Sequence, residues 1–411
     1  MSIFKNWEQT KEVLLEGLVG SKRDNVAQVL ENQKKEYLKE TAGADTQQVS
    51  QISNFQNIVI PMIRRIIPGT IGTELVGVQA MNGPVGLAYS MRFEFNQTLN
   101  TGDANTNIAP RDEAFGNNVG TLSKMRRFYS GGMTAGTDTN FFTADDVATG
   151  AAADTGLFES YPGRTMSLTV LKQTITAGSR KLSARMTMEA QQDLDKQWGI
   201  DLESELSGAL SSEIISEIDN EILTDLTALA GTVDSYDMNS GSFTGTPNYV
   251  GDRHAVLGVI ISRVANEIAR KTRRGAGNFV VVSPVVATVL QSASRSVFAP
   301  AVQGSFESPT GTRLIGTLNG TIKVYSYLYH DQGTEAILVG YKGSSELDSG
   351  YFYCPYIPLA SAGSVRDINT FDTATMMMTR YGKCTFTSNT TSLGNSADYY
   401  GRVAVSNLKF F

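Results

Sequence analysis

The chain has 411 residues, 41% of them hydrophobic and 18% charged, which excludes a disordered chain and suggests two or three compact units. Its net charge of −6 offers no basic face of the kind that grips nucleic-acid phosphates. Two cysteines, Cys354 and Cys384, make no disulfide framework and, in apolar β-rich surroundings, read as buried free thiols.

Residues 1–48 are charge-dense, with seven Lys/Arg and eight Asp/Glu. Trp7, Leu14, Leu15 and Leu18, then Val26, Val29, Leu30 and Tyr37, recur at helical spacing. They predict one or two amphipathic helices ending near Gly43, an arm or a removable extension. This start has no continuous apolar core and carries acids early, so it is not a secretory signal. Pro61 and Pro68 then bracket a short helical piece, MNGPVG marks a turn, and LAYSMRFEF reads as a strand. Residues 97–165 are rich in Gly, Asn, Thr, Ala and Asp without periodicity. A structureless loop of that length is rare, so an extended hairpin or small insertion is expected.

MSLTVLKQTITAGSRKLSARMTM reads as a strand passing toward a helix that covers Glu189–Trp198 and stops at Gly199. Asp201 is placed to cap a second helix, with Glu203 and Glu205 in its first turn. There Leu206, Leu210, Ile214, Ile218 and Ile222 recur every four residues, widened by Ile215 and Leu223. Between Asp201 and Leu226 lie eight acids and no Lys or Arg. That run is either a solvated face or a face that meets a basic partner element.

Residues 231–252 read as a Gly/Ser/Thr/Asn-rich loop. A further helix carries Val256, Ile260, Val264 and Ile268 on one face and finishes in Arg270, Lys271, Arg273 and Arg274, with Gly275 as its expected left-handed cap. From Phe279 onward strands and turns alternate, with one short helix over Val285–Ser292. The apolar stretch Phe279–Leu290 is broken by Ser283, Pro284 and Thr288 and is too short to span a bilayer. The class is α+β, without Rossmann-like alternation or a repeat.

Marks of catalysis are missing. The two histidines, His254 and His330, have no metal-spaced partner. No nucleophile elbow or phosphate-binding loop occurs. Gly275-Ala276-Gly277 begins like a dinucleotide fingerprint but has Val280 at the third glycine position and follows a helix. No catalytic, cofactor-binding or metal-binding residue is assigned.

Four blocks in order resemble the major head protein of T-even-type tailed phages. They are IPMIRRIIPGTIGTELVGVQAMNGPVGLAYSMRF from Ile60, EAQQDLDKQWGIDLESELSGALSSEIISEIDNEIL from Glu189, NEIARKTRRGAGNFVVVSPVVATVL from Asn266, and VGYKGSSELDSGYFYCPYIPL from Val339 followed by TRYG. LLEG at Leu14 and ENQKKEY at Glu31 resemble that family's leader. The match fades over 97–165, 231–252 and 293–312.

The resemblance implies a Hong Kong 97-type capsid fold and a structural subunit that catalyses nothing. It divides the chain into an N-terminal arm or leader (1–50), the start of a peripheral domain (51–84), an extended loop with insertion (85–180), the peripheral domain with its spine helix (181–275), an axial domain (276–345) and return strands of both (346–411). LAYSMRFEF and MSLTVLKQTITAG would be the two sides of the extended loop. The expected partner is the chain itself, in hexamers and a closed shell around DNA. Vertex, portal, scaffold and cementing proteins of the same phage would join it, with assembly in the host cytoplasm and no membrane. The family's protease cuts after L/I-x-E, which makes Glu16 and Glu40 the candidate processing sites. The acids Glu213, Glu217 and Glu221, paired with Arg270, Arg273 and Arg274, are candidates for a subunit interface, although they could equally meet within one chain. Alternatives are the related pentamer-forming vertex subunit and an extracellular fibre or adhesin.

Overall fold

The computed structural model describes residues 7–15, 20–42, 71–96, 165–199, 201–238, 250–272, 274–292, 298–300, 313–327, 335–346, 348–366, 372–386 and 396–408. The bracketed helical piece at 61–68, most of the excursion over 97–165, Glu16, Arg273 and His330 lie outside these residues.

Two N-terminal helices, α1 (Trp7–Leu14) and α2 (Ser21–Ala42), form as the apolar spacing predicts. The Trp7 indole N–H donates to Glu31 (2.9 Å) and the Lys34 ammonium sits 5.1 Å from the Trp7 ring, fastening one helix to the other. Their apolar side joins the main core: Trp7, Leu15, Val26, Val29 and Leu30 are all buried with Ile71, Leu75, Val76 and Val78. A one-turn helix, α3 (Gly72–Leu75), leads into the two-residue strand β1 (Gly77–Val78).

Strands β2 (Val85–Phe95) and β3 (Met166–Thr176) pair antiparallel over eleven residues, from Val85 opposite Thr176 to Phe95 opposite Met166. They form a two-stranded ribbon outside the larger sheets. The segment expected to pass from strand to helix holds two strands. β3 breaks at Ala177, and β4 (Gly178–Met186) enters a different sheet. Helix α4 (Met188–Trp198) is capped by the Thr187 hydroxyl, which accepts from Ala190 N–H, and it ends at Gly199 with φ of 67° as expected.

Helix α5 (Leu202–Leu229) starts at Asp201, whose carboxylate accepts from Glu203 N–H at 3.1 Å. Leu210, Ile214, Ile218 and Ile222 are buried along it, with Ile215 and Leu223 alongside. The stretch read as a loop from 231 begins instead with a strand, β5 (Gly231–Asp237). Its composition is turn-like. What makes it a strand is tertiary: it pairs in parallel with a strand more than 160 residues away in sequence, Gly401 opposite Gly231 through Ser406 opposite Asp237.

Helix α6 (Val250–Thr272) buries Ile260, Val264 and Ile268. It does not end on a left-handed Gly275: the described glycines with positive φ are Gly20, Gly199 and Gly320. Gly275 is small for another reason, since a Cβ there would stand 2.6 Å from the Tyr341 ring.

The remaining elements are β6 (Phe279–Val282), α7 (Pro284–Ser292), β7 (Phe298–Pro300), β8 (Arg313–Leu318), β9 (Ile322–Ser326), β10 (Glu335–Gly340), β11 (Tyr351–Arg366), β12 (Thr373–Thr385), a 3-10 turn at Ser396–Tyr399, and β13 (Tyr400–Ser406). A seven-stranded mixed sheet runs β5-β13-β10-β6-β9-β8-β7, and a four-stranded one runs β1-β11-β12-β4. β6 reads FVVV because both of its faces are buried. Phe279 and Val281 join the core around α5, while Val280 and Val282 join a second core with α6 and α7.

Candidate functional site

No described group of three or more His, Cys, Asp or Glu side chains could hold a metal ion, and no described helix is long and apolar enough to cross a membrane. Cys354 and Cys384 are free and buried; burial pushes their thiols up to about 12 and about 11, the charge of Cys384 adding a smaller push on Cys354. His254 is buried with its Nδ1 2.8 Å from the Ser292 hydroxyl. The distinctive surfaces are an apolar ribbon and a ladder of charge beside it.

The ribbon leaves one face bare. Val85, Leu87 and Tyr89 on β2 and Met166, Leu168 and Val170 on β3 are exposed by 43–60%. Alternation puts each trio on one side of its strand, and the register puts both trios on the same side. The opposite side is held at its base, where Ile175 is buried with Met81, Phe352, Cys354 and Cys384.

The charge ladder begins four residues beyond the ribbon. Glu217, Glu221 and Asp225 follow one another every fourth residue along α5, on one face. Arg180 on β4 donates to Glu217 (2.8 Å), Glu221 (2.6 Å) and the Tyr381 hydroxyl (2.6 Å). Lys383 on β12 reaches Glu221 at 3.0 Å and Asp225 at 2.6 Å. The Tyr381 hydroxyl donates to Glu221 and the Tyr351 hydroxyl to Asp225 (2.9 Å). Burial works against the Glu221 charge, but hydrogen bonds from Tyr381, Arg180 and Lys383 outweigh it and hold the carboxyl down at about 2. Burial raises Tyr381 well above the ordinary phenol range, and the neighbouring carboxylate adds to this.

The acidic run therefore meets a basic element within the chain, and that element is not the 270–274 cluster. Arg270 bonds Glu267 one turn back (2.6 Å), and Arg274 bonds Asp348 (2.6 Å). Glu213 lies on the same helix without joining the ladder. Among described residues no ion pair joins the two clusters. Sequence reading missed Arg180, Lys383 and the two tyrosines. Part of the signal was there: Tyr381 and Lys383 are two apart in a strand and so share a face. Which helix that face meets is a tertiary fact. Of the candidate processing sites, Glu40 lies in the last turn of α2.

The family Major capsid protein Gp23 matches residues 52–405. The major capsid protein of Vibrio phage KVP40 is 30% identical over 87% of this chain and 84% of its own length. That of Enterobacteria phage T4 is 29% identical over 83% of this chain and 76% of its own. Among solved structures, the capsid of Myoviridae phage XM1 aligns with a TM-score of 0.41 at 10% identity, covering 80% of this chain and 90% of that one. With the family goes the α+β, Hong Kong 97-type capsid fold. The chain belongs to the Gp23 major capsid protein family: it is a structural subunit of a tailed-phage head, part of the virion, and not an enzyme.

Proposed function

We propose that the subunit forms hexamers and then a closed shell by laying the bare face of its β2–β3 ribbon on a second copy. The carrying observation is that apolar face. A two-stranded ribbon is at best marginally stable alone in water. Six large apolar side chains exposed on one side of it mark a surface built to be covered. Repetition around a symmetric shell lets contacts that are weak singly hold collectively.

The arm (1–50), the peripheral divisions (51–84 and 181–275), the loop (85–180), the axial domain (276–345) and the return strands (346–411) are the working division of the subunit. In this reading α5 is the spine helix. Portal, scaffold, cementing and vertex proteins of the same phage are its further partners, assembly occurs in the host cytoplasm, and the acidic chain lies beside packaged DNA without gripping it. Maturation cuts after Glu40, or after Glu16, and a cut at Glu40 requires the last turn of α2 to unwind. Glu213 on α5 and the cations Arg270, Arg273 and Arg274 serve contacts between copies. The vertex subunit remains the second reading, disfavoured by the family match.

The test is Leu87→Asp with Leu168→Asp, read by electron microscopy and by thermal unfolding. Shells or hexameric rings should disappear while unfolding of the free subunit shifts by less than about 0.5 kcal/mol, as for exposed substitutions. Normal shells from this variant overturn the ribbon contact. Intact mass from mature particles lacking residues 1–40 identifies Glu40, and charge reversal at Arg273 and Arg274 that leaves assembly unchanged removes those residues from the interface.

A further inference from the structure

Strand β1 is the end of the four-stranded sheet, and no described strand lies beyond it. Its inward side is conventional, with Gln79 N–H donating to Tyr353 O and Met81 N–H to Pro355 O. Its outward side is closed by side chains. The Asn25 amide, on α2, donates to Val78 O at 2.7 Å and accepts from Ala80 N–H at 3.2 Å. One planar amide bonding the carbonyl of one residue and the N–H of the second residue along reproduces what one residue of a parallel neighbouring strand does. Val78 N–H is taken by the Glu346 carboxylate at 3.0 Å, itself held by Lys342 at 3.2 Å. Beyond this edge, Asn32 on α2 donates to Met81 O (2.7 Å) and to Tyr356 O of β11 (3.2 Å), tying the helix to the chain after β1 and to the inner strand.

A helix thus stands where a strand would fit. An open edge is a template for pairing with another chain, and covering it is a recognised way to prevent that. The cover and the edge differ in two respects. The edge lies inside the family match, which begins at residue 52, and α2 lies outside it. The seat of α2 is also imperfect. Gln33 is buried (3% exposed), yet among the described residues neither its amide nitrogen nor its oxygen has a hydrogen-bond partner. A buried amide left unpaired opposes docking, so this helix is held less firmly than its apolar contacts alone would give.

We propose that the outward edge of residues 78–80 is a docking site for an extended strand of a second copy of this chain, kept shut by Asn25 of α2 until α1 and α2 are displaced. The occupant is a copy of the chain because the subunit builds a multimeric shell, and the vacated groups call for nothing but extended backbone. The proposal rests on that self-association and is independent of a natural cut at Glu40.

The test uses the full chain with a site-specific protease sequence inserted after Ala42, folded first and then cut. Amide hydrogen exchange at Ala80 is followed in dilute subunits and in assembled particles. Uncut chain should protect Ala80 at any concentration. Cutting should speed its exchange by about tenfold or more in dilute solution, and assembly should restore protection. Asn25→Leu, which keeps a helix-compatible side chain of similar size and removes the amide, should speed Ala80 exchange in uncut chain by about the same factor and lower the concentration at which it associates. Should that variant misfold, the cut chain alone still decides. Protection that survives cutting at high dilution would make α1 and α2 permanent parts of the core and overturn the proposal. Fast exchange inside intact particles would also overturn it, by showing that the edge faces no neighbour, while the shell reading stands. No assembly under any condition would defeat the shell reading itself.

Discussion

The two long helices are fixed to the body by different chemistry. On α6, the side toward the seven-stranded sheet is apolar, with Leu257, Ile261, Val264 and Ile268 in one core with Val339, Val403 and their neighbours. On α5, an apolar stripe of the same kind is joined by a second face whose acids bond Arg180, Lys383, Tyr351 and Tyr381. Apolar contact holds strongly but is non-directional. A ladder of charge-assisted hydrogen bonds adds little net energy at a half-exposed site and admits one register only. The difference falls beside the β2–β3 ribbon, the surface proposed above to meet a second copy. Arg180 lies four residues past the end of β3, so the ladder ties to α5 the strand into which the ribbon continues.

The largest effect should not distinguish the two helices. Ile218→Ala on α5 and Ile261→Ala on α6 each remove a side chain with no exposure, and each should cost about 2–5 kcal/mol in denaturant unfolding. A value below about 1 kcal/mol at either position would mean that its core relaxes around the cavity or is not packed as described.

The next effect should separate them. Arg180→Met leaves Glu217, Glu221 and Tyr381 without their shared donor and should cost about 1–3 kcal/mol, with coupling of about 0.5 kcal/mol or more to Glu221→Gln in a double-mutant cycle. Arg270→Met on α6 breaks a single i,i+3 surface pair and should cost no more than about 0.5 kcal/mol. Equal costs would erase the contrast. The ladder also has a pH signature. The Glu221 carboxyl is depressed on folding, from 4.5 to about 2, so its contribution is present above pH 4.5 and is lost as pH falls toward 2.

The same contrast separates what is legible in the amino-acid sequence from what is not. The α6 stripe is legible because burial leaves a period of 3.6 residues and little else interferes. The caps at Asp201 and Gly199 are legible because their chemistry is local. The acids of α5 disclose only that a face is charged. Their partners come from strands β4, β11 and β12, and no local pattern links Glu221 to an arginine 41 residues before it and a lysine at 383. β5 is hidden for the same reason, since GTVDSYD becomes a strand by pairing with β13. Asn25 is invisible as a function: in sequence it is one polar residue in a helix, and only the nearness of β1 makes it a stand-in for a strand.

The last effect, smaller than that at Arg180, concerns a carboxylate placed beside the apolar helix. Asp398, in the 3-10 turn before β13, is pushed up to about 6 by burial, and Lys271 on α6 only partly offsets this. Its folded value lies above the ordinary 3.8, so its contribution to stability is fully present below 3.8 and is lost as pH rises through 6. This slope is opposite to that of Glu221. Asp398→Asn should therefore stabilise the subunit at about pH 7.5 by on the order of 1 kcal/mol and leave it unchanged near about pH 3, where the native carboxyl is already neutral. Denaturant midpoints across that range provide the check. A gain that did not vary with pH would mean that the variant acts through packing. A loss at neutral pH would mean that the Lys271 attraction exceeds the cost of burial, and the side of α6 would then be charge-supported like that of α5.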